Sequence, residues 1–254
     1  MRRALPIALE IAVPVALLVV WGVWSAQAQT FYFPPLTDIL EQFRDTWLFE
    51  RVGSDVLPSL ARLGAGYALA VLVGVLAGIP LGLSRTARRA ASPLVEFLRA
   101  IPPPALLPPA IVLIGIGDTM KVLIIAFVCV WPVLLNTIDG ITGIDPTLND
   151  TARVYGVRGA GRLRRIVLPA ASPQIFAGMR TSLSLAVILM VISEMVASTN
   201  GIGFFVLESQ RSFAIPEMWS GILLLGILGY VLNLVFVGVE RRVLAWHRGA
   251  RKGA

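Results

Sequence analysis

Six runs of apolar residues divide the chain: 5–24, 64–83, 105–117, 122–138, 183–196 and 221–239, with polar segments between them. A helix needs about 20 mostly apolar residues to cross a bilayer core, fewer where its flanks reach the interface. The pattern predicts an all-α integral membrane protein, a six-span helical bundle. The third run is short, and Pro102, Pro103, Pro104, Pro108 and Pro109 crowd its start. It is expected to enter irregularly, shielded by protein rather than lipid. The second run carries Gly66, Ala70, Gly74, Gly78 and Gly82, a small residue every fourth position. Such a stripe lets a neighbouring backbone come close, and packing within this chain is favoured over a contact between subunits. No internal repeat is evident, which weighs against transporters built from two similar halves.

Charge orients the bundle. With a cytoplasmic N-terminus, seventeen of the 22 lysines and arginines fall on inner segments. The other five are Arg44, Arg51, Arg62, Lys121 and Arg211. That bias is the one the positive-inside rule demands, and it puts both termini in the cytoplasm. The chain then divides into an anchor span with an outer segment (1–63), a core (64–240) holding an inner loop (139–180), and a basic tail (241–254). Arg2, Arg3, the first apolar run and Ala26-Gln27-Ala28 also fit a cleavable signal peptide. Pro6 and Glu10 inside the run, and five spans after it, favour a retained anchor, with Glu10 snorkelling to the inner interface. The outer segment, with Phe31-Tyr32-Phe33-Pro34-Pro35, reads as a short amphipathic element on the membrane surface.

Composition agrees and narrows the chemistry. Of 254 residues, 56% are hydrophobic and 15% charged, at a mean hydropathy of +0.79. Soluble domains run to roughly 45–50% apolar and about 25% charged. Disorder, collagen and a disulfide scaffold are excluded. The net charge of +7 would suggest nucleic acid in a soluble protein, but here the charges follow the membrane, and no nucleic-acid partner is expected. One cysteine, Cys129, cannot form an internal bridge, and with one histidine, His247, it cannot build a zinc site. Neither lysine, Lys121 or Lys252, follows a glycine-rich phosphate-loop pattern, and no nucleophile–base pair is visible. The expectation is a protein that is no enzyme, carries no metal or cofactor, and depends on a partner for energy.

The inner loop is the shaped part. Asp145-Pro146 reads as an N-cap followed by proline at the first helical position. Leu148, Ala152 and Tyr155 recur at helical spacing, and Gly156 offers a left-handed stop. A second, arginine-rich helix is expected from about Arg162 to Leu168, halting at Pro169, with Ser172-Pro173 capping the next. Within this loop stand Asp150-Thr151-Ala152, three residues, Gly156, nine residues, Ile166, one residue and Leu168-Pro169. The pattern resembles the EAA loop of ABC importer permeases, E-A-A-x3-G-x9-I-x-L-P. Asp150 for Glu is a mild departure, and Thr151 for Ala a larger one.

Further stretches resemble the permeases that import nitrate, taurine and aliphatic sulfonates: Ser59-Leu60-Ala61-Arg62, Ile101-Pro102, Ala177-Gly178-Met179-Arg180, Ser193-Glu194-Met195, Asn200-Gly201-Ile202-Gly203, and the closing Glu240 to His247. The resemblance implies a MetI-like type I importer core in a bacterial inner membrane. It implies a second copy of the chain, two copies of an ATP-binding cassette ATPase, and an extracytoplasmic substrate-binding protein. Asp150, Thr151, Ala152, Arg153, Gly156, Arg158, Ile166, Leu168 and Pro169 then couple the permease to the ATPase. Arg158, Arg162 and Arg165 are expected on one helical face, pairing with ATPase acids or lying near anionic lipid. Aliphatic sulfonate or taurine is the first expectation for substrate, with nitrate or an aromatic carboxylate open. The alternative is a secondary transporter or channel driven by an ion gradient.

Inside the membrane, Glu194 stands out as an acid near the outer end of the fifth span. It either gates the pathway or pairs with Lys121, Arg211 or a backbone amide. Ser182 and Ser193 share a helical face with Ala186 and Leu189, a mildly polar stripe able to line the route. Asn136, in the fourth span, is ambiguous in the same way.

Overall fold

The computed structural model describes residues 4–28 and 30–246. Arg2, Arg3, His247 and the rest of the tail lie outside the described residues, as does the side chain of Glu10. Helices α1 (Ala4–Ala28) and α2 (Leu36–Asp45) lead through two π-helical turns, Thr46–Glu50 and Val52–Val56, into α3 (Leu57–Leu83). Then come α4 (Arg85–Arg99), a 3-10 turn (Pro103–Leu106), α5 (Leu107–Ile114) and α6 (Asp118–Thr142). The inner loop holds α7 (Pro146–Val154) and α8 (Gly159–Arg162), and a π turn (Leu163–Val167) enters α9 (Leu168–Ala197). Helices α10 (Ile202–Arg211) and α11 (Ile215–Val243) complete the order, with no strand among the described residues.

The glycine stripe sets the packing. A Cβ at Gly66, Gly74, Gly78 or Gly82 would fall 2.6–2.8 Å from the Cβ of Ile125, Val133, Thr137 or Ile141. The stripe is therefore the seam between α3 and α6, which run parallel in tight contact, as the intrachain reading expected. Helix α9 runs antiparallel to α6, with Gly178 against Asn136 and Ser182 bonded to Cys129. Helix α11 is antiparallel to α9, since Arg180 meets Asn233 while Phe176 meets Phe236. Met120, Ile125, Cys129, Leu189 and Met190 fill the core between these helices. All the helix directions put segments 84–102, 143–168 and 240–246 at one end of the bundle. This is the end that carries most of the arginines.

Four helices are long and apolar enough to cross a membrane: 52–83, 118–142, 159–197 and 215–243. Arg85–Arg99 and Pro103–Ile114, bent by 87°, count as a fifth when the pair is taken as one broken span. The described apolar part of α1, Val15–Gln27, is shorter than a span, so the described residues carry five of the six expected crossings at most. The third run does enter irregularly: its prolines leave a 3-10 turn and an eight-residue helix. Shielding is one-sided, with Leu107 and Ala110 buried while Val112 and Leu113 are exposed.

Two boundaries need correction. The second span begins well before residue 64, because Ser59 and Arg62 are buried and bonded inside the bundle. The arginine-rich helix does not halt at Pro169 but continues through α9. The π turn closes with Leu168 N–H on the Leu163 carbonyl, re-spacing the ladder just ahead of the proline. Farther on, Pro173 has no N–H for the Pro169 carbonyl, and the Ser172 Oγ donates to that carbonyl instead at 2.8 Å. Ser172 thus repairs a helix interior rather than capping a start. The outer segment is likewise mostly helical. Helix α2 is amphipathic and buries Ile39, and it packs on α11.

Candidate functional site

Most of the sequence-derived residues separate into two places, one at each end of the α6–α9 pair, with Ser182 and Asn136 between them. At the arginine-rich end, Asp145 caps α7: its carboxylate accepts from Thr147 N–H at 2.8 Å, and Pro146 occupies the first turn. That backbone bond holds the Asp145 carboxyl below its usual range. Thr151, the larger departure from the motif, turns its hydroxyl onto the Thr147 carbonyl at 2.8 Å. It therefore satisfies itself within the helix. Helix α7 ends in a Schellman turn: Val157 N–H reaches the Ala152 carbonyl at 2.9 Å and Gly156 N–H the Arg153 carbonyl at 3.1 Å.

Gly156 adopts φ +68°, the left-handed stop the sequence predicted. Among the described residues nothing else lies within 4 Å of a Cβ there, so backbone conformation, not crowding, demands glycine. Ala152 is the buried member of the acidic triplet. Asp150 and Arg153 form an exposed ion pair at 3.3 Å, worth little on its own. Around this turn, Val154 is 84% and Tyr155 80% exposed. Leu148, Tyr155, Ile166, Pro169 and Trp246 line a groove of about 610 Å³ beside them. Leu168 is half-buried at the start of α9.

The expectation that Arg158, Arg162 and Arg165 share a helical face is not met. Arg158 sits in extended backbone ahead of α8, because Gly159 at φ +55° starts the helix only after it. The hairpin is tied to the bundle through Ile141, Val167, Ala171 and Ile175, which pack together where α6 ends and α9 begins.

At the opposite end, Glu194 is fully buried. Its carboxylate accepts from the Ser59 hydroxyl at 2.7 Å, the Arg62 guanidinium at 2.8 Å and the Gly203 N–H at 3.0 Å. Arg62 also bonds Asp118 at 2.7 Å and the Asn200 side chain. The N–H groups of Gly201 and Ile202 go to Asp55 at 2.8 Å and to the Ser59 hydroxyl at 3.0 Å. Asp55, Ser59 and Glu194 together satisfy three of the four orphan donors at the start of α10. This clasp joins α3, α6, α9 and α10. Gly201 at φ +115° lies against the Glu194 carboxylate, and Gly203 lies against its Cβ.

The backbone-amide partner was foreseen and the cation was not. Lys121 is buried beside Asp118 at 3.7 Å, and Arg211 lines a separate pocket with Met195. Sequence reasoning missed Ser59, Arg62, Asp55, Asp118 and Asn200 as a unit. The available signal was Ser59, Arg62 and Gly66 at helical spacing, which extends the second span outward. Ser182 and Ser193 are fully buried, donating to the Cys129 and Met190 carbonyls at 2.7 and 2.9 Å. Their face, with Ala186 and Leu189, packs into the core rather than onto an open route. Asn136 bridges α6 and α9, donating to the Pro132 carbonyl and accepting from Gln174, each at 2.8 Å.

Known proteins match this arrangement. A family model described as binding-protein-dependent transport system inner membrane component matches residues 70–245. The taurine transport system permease protein TauC of Escherichia coli is 30% identical over 254 residues, covering 95% of this chain and 90% of TauC. The bicarbonate transport system permease protein CmpB of Synechococcus elongatus is 30% identical over 249 residues, covering 94% of this chain and 90% of CmpB. Among solved structures, the inward-facing MetNI methionine ABC transporter superposes with a TM-score of 0.65 at 21% identity, over 74% of this chain and 94% of that one. At that identity the likeness is one of fold.

Proposed function

The chain belongs to the family of binding-protein-dependent transport system inner membrane components, and from that premise we propose that it moves a small anion through an ATP-driven importer. It is a membrane permease of the taurine, sulfonate and bicarbonate type, and the ATPase of such systems is a separate subunit. The finer reading takes aliphatic sulfonate or taurine as substrate, with nitrate or an aromatic carboxylate next. Two ATPase copies, a second copy of this chain and an extracytoplasmic binding protein complete the assembly. The N- and C-termini, and with them the α7–α8 hairpin, face the cytoplasm.

One observation carries this reading: a rigidly capped hairpin at the arginine-rich end holds exposed Val154 and Tyr155 over a groove, with the permease motif wrapped around it. Asp150, Thr151, Ala152, Arg153, Gly156, Arg158, Ile166, Leu168 and Pro169 make up the coupling surface. Closure of the ATPase pair pushes the hairpin, and the cluster at Ile141, Val167 and Ala171 passes the push to α6 and α9. Both helices run to the far end, where Lys121 and Glu194 lie. Glu194 holds the outer end shut through Arg62 rather than touching the anion, because a carboxylate facing the path would repel it. Ser182 and Asn136 set the α6–α9 contact that has to move, while Ser193 bonds within α9 beside it.

In a secondary transporter an intramembrane acid would exchange protons or ions. Glu194 is already saturated by Arg62, Ser59 and Gly203, which favours the ATP-driven reading. The deciding experiment reconstitutes the chain with its ATPase and binding protein in sealed vesicles. Uptake of sulfonate or taurine is expected only with ATP and all components present. Accumulation by the purified chain alone would overturn the proposal.

A further inference from the structure

Helix α4 leaves the end of α3 after a single residue, Ser84, whose hydroxyl accepts from Ala87 N–H at 3.2 Å. At about 100° per residue, its polar side chains collect in one stripe: Arg85, Arg88, Arg89, Ser92, Glu96 and Arg99. Ala87, Ala90, Ala91, Leu94, Phe97 and Leu98 occupy the opposite side. A helix this clearly two-sided buries its apolar face against something. Among the described residues it does not, since α4 has no buried residue, and Leu94 is 60% and Phe97 67% exposed.

Position and charge together identify what covers it. Helix α3 is long and apolar enough to span, and α4 begins where it stops. The path then bends by 87° into Pro103–Ile114, which packs back along α6. The axis of α4 therefore lies across the direction of the spans, at their end, where a bilayer meets water. It shares that end with Arg153, Arg158, Arg164 and Arg165. Four arginines stand against one acid on α4, and Glu96 is already taken by Arg99. Arg88 reaches back toward the Leu81 and Gly82 carbonyls at 3.4 Å, tying α4 to the last turn of α3. Arg85 and Arg89 make no ion pair among the described residues.

We propose that α4 is an interfacial helix that seats this end of the bundle on anionic lipid. Leu94 and Phe97 enter the acyl region, and Arg85 and Arg89 pair with headgroup phosphates. The occupant is a lipid surface because the exposed face carries a basic stripe along an apolar one, in the plane of the boundary. A second copy or the ATPase would be a protein cover for the same face. The inference rests on the proposed function only for the leaflet concerned.

The test places single nitroxide labels at Leu94→Cys, Phe97→Cys and Ser92→Cys in the full complex, since native Cys129 is buried. Vesicles are phosphatidylcholine with and without phosphatidylglycerol. Labels at 94 and 97 are expected to collide with oxygen and not with a water-soluble nickel chelate, and the label at 92 to do the reverse. Phosphatidylglycerol deepens the 97 label in the native chain, with each arginine shifting the seated equilibrium about five-fold. R85Q/R89Q should lose that response. Labels at 94 and 97 that are shielded from both reagents would put protein over the face. Free access of nickel would leave the face in water. Either result overturns the proposal, as does a phosphatidylglycerol response that R85Q/R89Q retains. Immersion is read without transport, so immersed labels in a complex that fails to import would sink the proposed function and leave this inference standing.

Discussion

The two ends of the α6–α9 pair are built on opposite principles. At the Glu194 end, Arg62, Glu194 and Asp55 are out of water while Asp118 is exposed, and each has found a partner within the chain: Arg62 with Glu194, Asp118 and Asn200, and the first amides of α10 with Asp55, Ser59 and Glu194. At the α7–α8 end helix α7 is capped at both ends, yet the side chains around the turn, Val154 and Tyr155, are almost wholly exposed. The first arrangement is complete in a single chain. The second is a rigid frame presenting an unfinished surface. The contrast teaches where mutation should be read: at the clasp as stability, at the hairpin as partnership.

The sharpest way to break the contrast is to remove one member of the clasp. Arg62→Met leaves Glu194 buried without its bonded cation, and losing one partner of a buried pair costs about 3–5 kcal/mol. Thermal unfolding of the purified permease should show it as a large fall in Tm. Removing both charges, as R62M/E194L, should recover about half of that loss, because an uncompensated charge is worse than an apolar pair. Recovery stays partial since Gly203 N–H and Ser59 also lose an acceptor. Equal destabilisation by the single and double variants would show that the ion pair is not what holds this end together.

At the hairpin a glycine substitution should act the other way. Gly156→Val puts a β-branched residue at φ +68°, costing roughly 1–2 kcal/mol locally. The turn is exposed, so the global Tm should barely move while ATP-driven uptake is lost. Gly156→Asn, which tolerates the left-handed region, should keep much of the uptake. If Asn fails as completely as Val, a partner's close approach, rather than the backbone turn, is what demands glycine. A Tm fall as large as that of Arg62→Met would erase the distinction between the two ends.

The sequence made one end far more legible than the other, for physical reasons. The hairpin is local. Asp145-Pro146, the helical spacing of α7 and Gly156 act within a dozen residues, so cap, helix and left-handed stop could be read in order. The glycine stripe was legible too, because a four-residue period already says which face must approach a neighbour. The clasp is assembled from residues 55, 59, 62, 118, 194 and 200, and no local pattern links them. Arg62 in particular reads as an outer topogenic charge until the fold brings Glu194 to it. Pro169 and Pro173 misled in a different way. Their cost to a helix is real, but a π turn and the Ser172 hydroxyl absorb it.

The smallest expected effect sharpens the comparison at the entry to α7. The Asp145 carboxylate caps the helix by accepting the Thr147 N–H, and that bond favours the charged form and lowers its pKa. A carboxyl whose folded value lies below its unfolded one, about 3.9, stabilises fully above the unfolded value. The contribution is lost as pH falls through the lowered one. The cap should therefore be intact from pH 7 down to about pH 4.5 and weaken only in stronger acid. Amide exchange at Thr147, whose N–H the carboxylate accepts, reads it directly in the purified permease. Asp145→Asn should keep protection of this amide, because asparagine also caps, and should abolish the acid-dependent loss. Asp145→Ala should lose protection at every pH while the Arg62–Glu194 end stays protected. Loss of protection already at pH 6 would mean that some other group governs the first turn of α7.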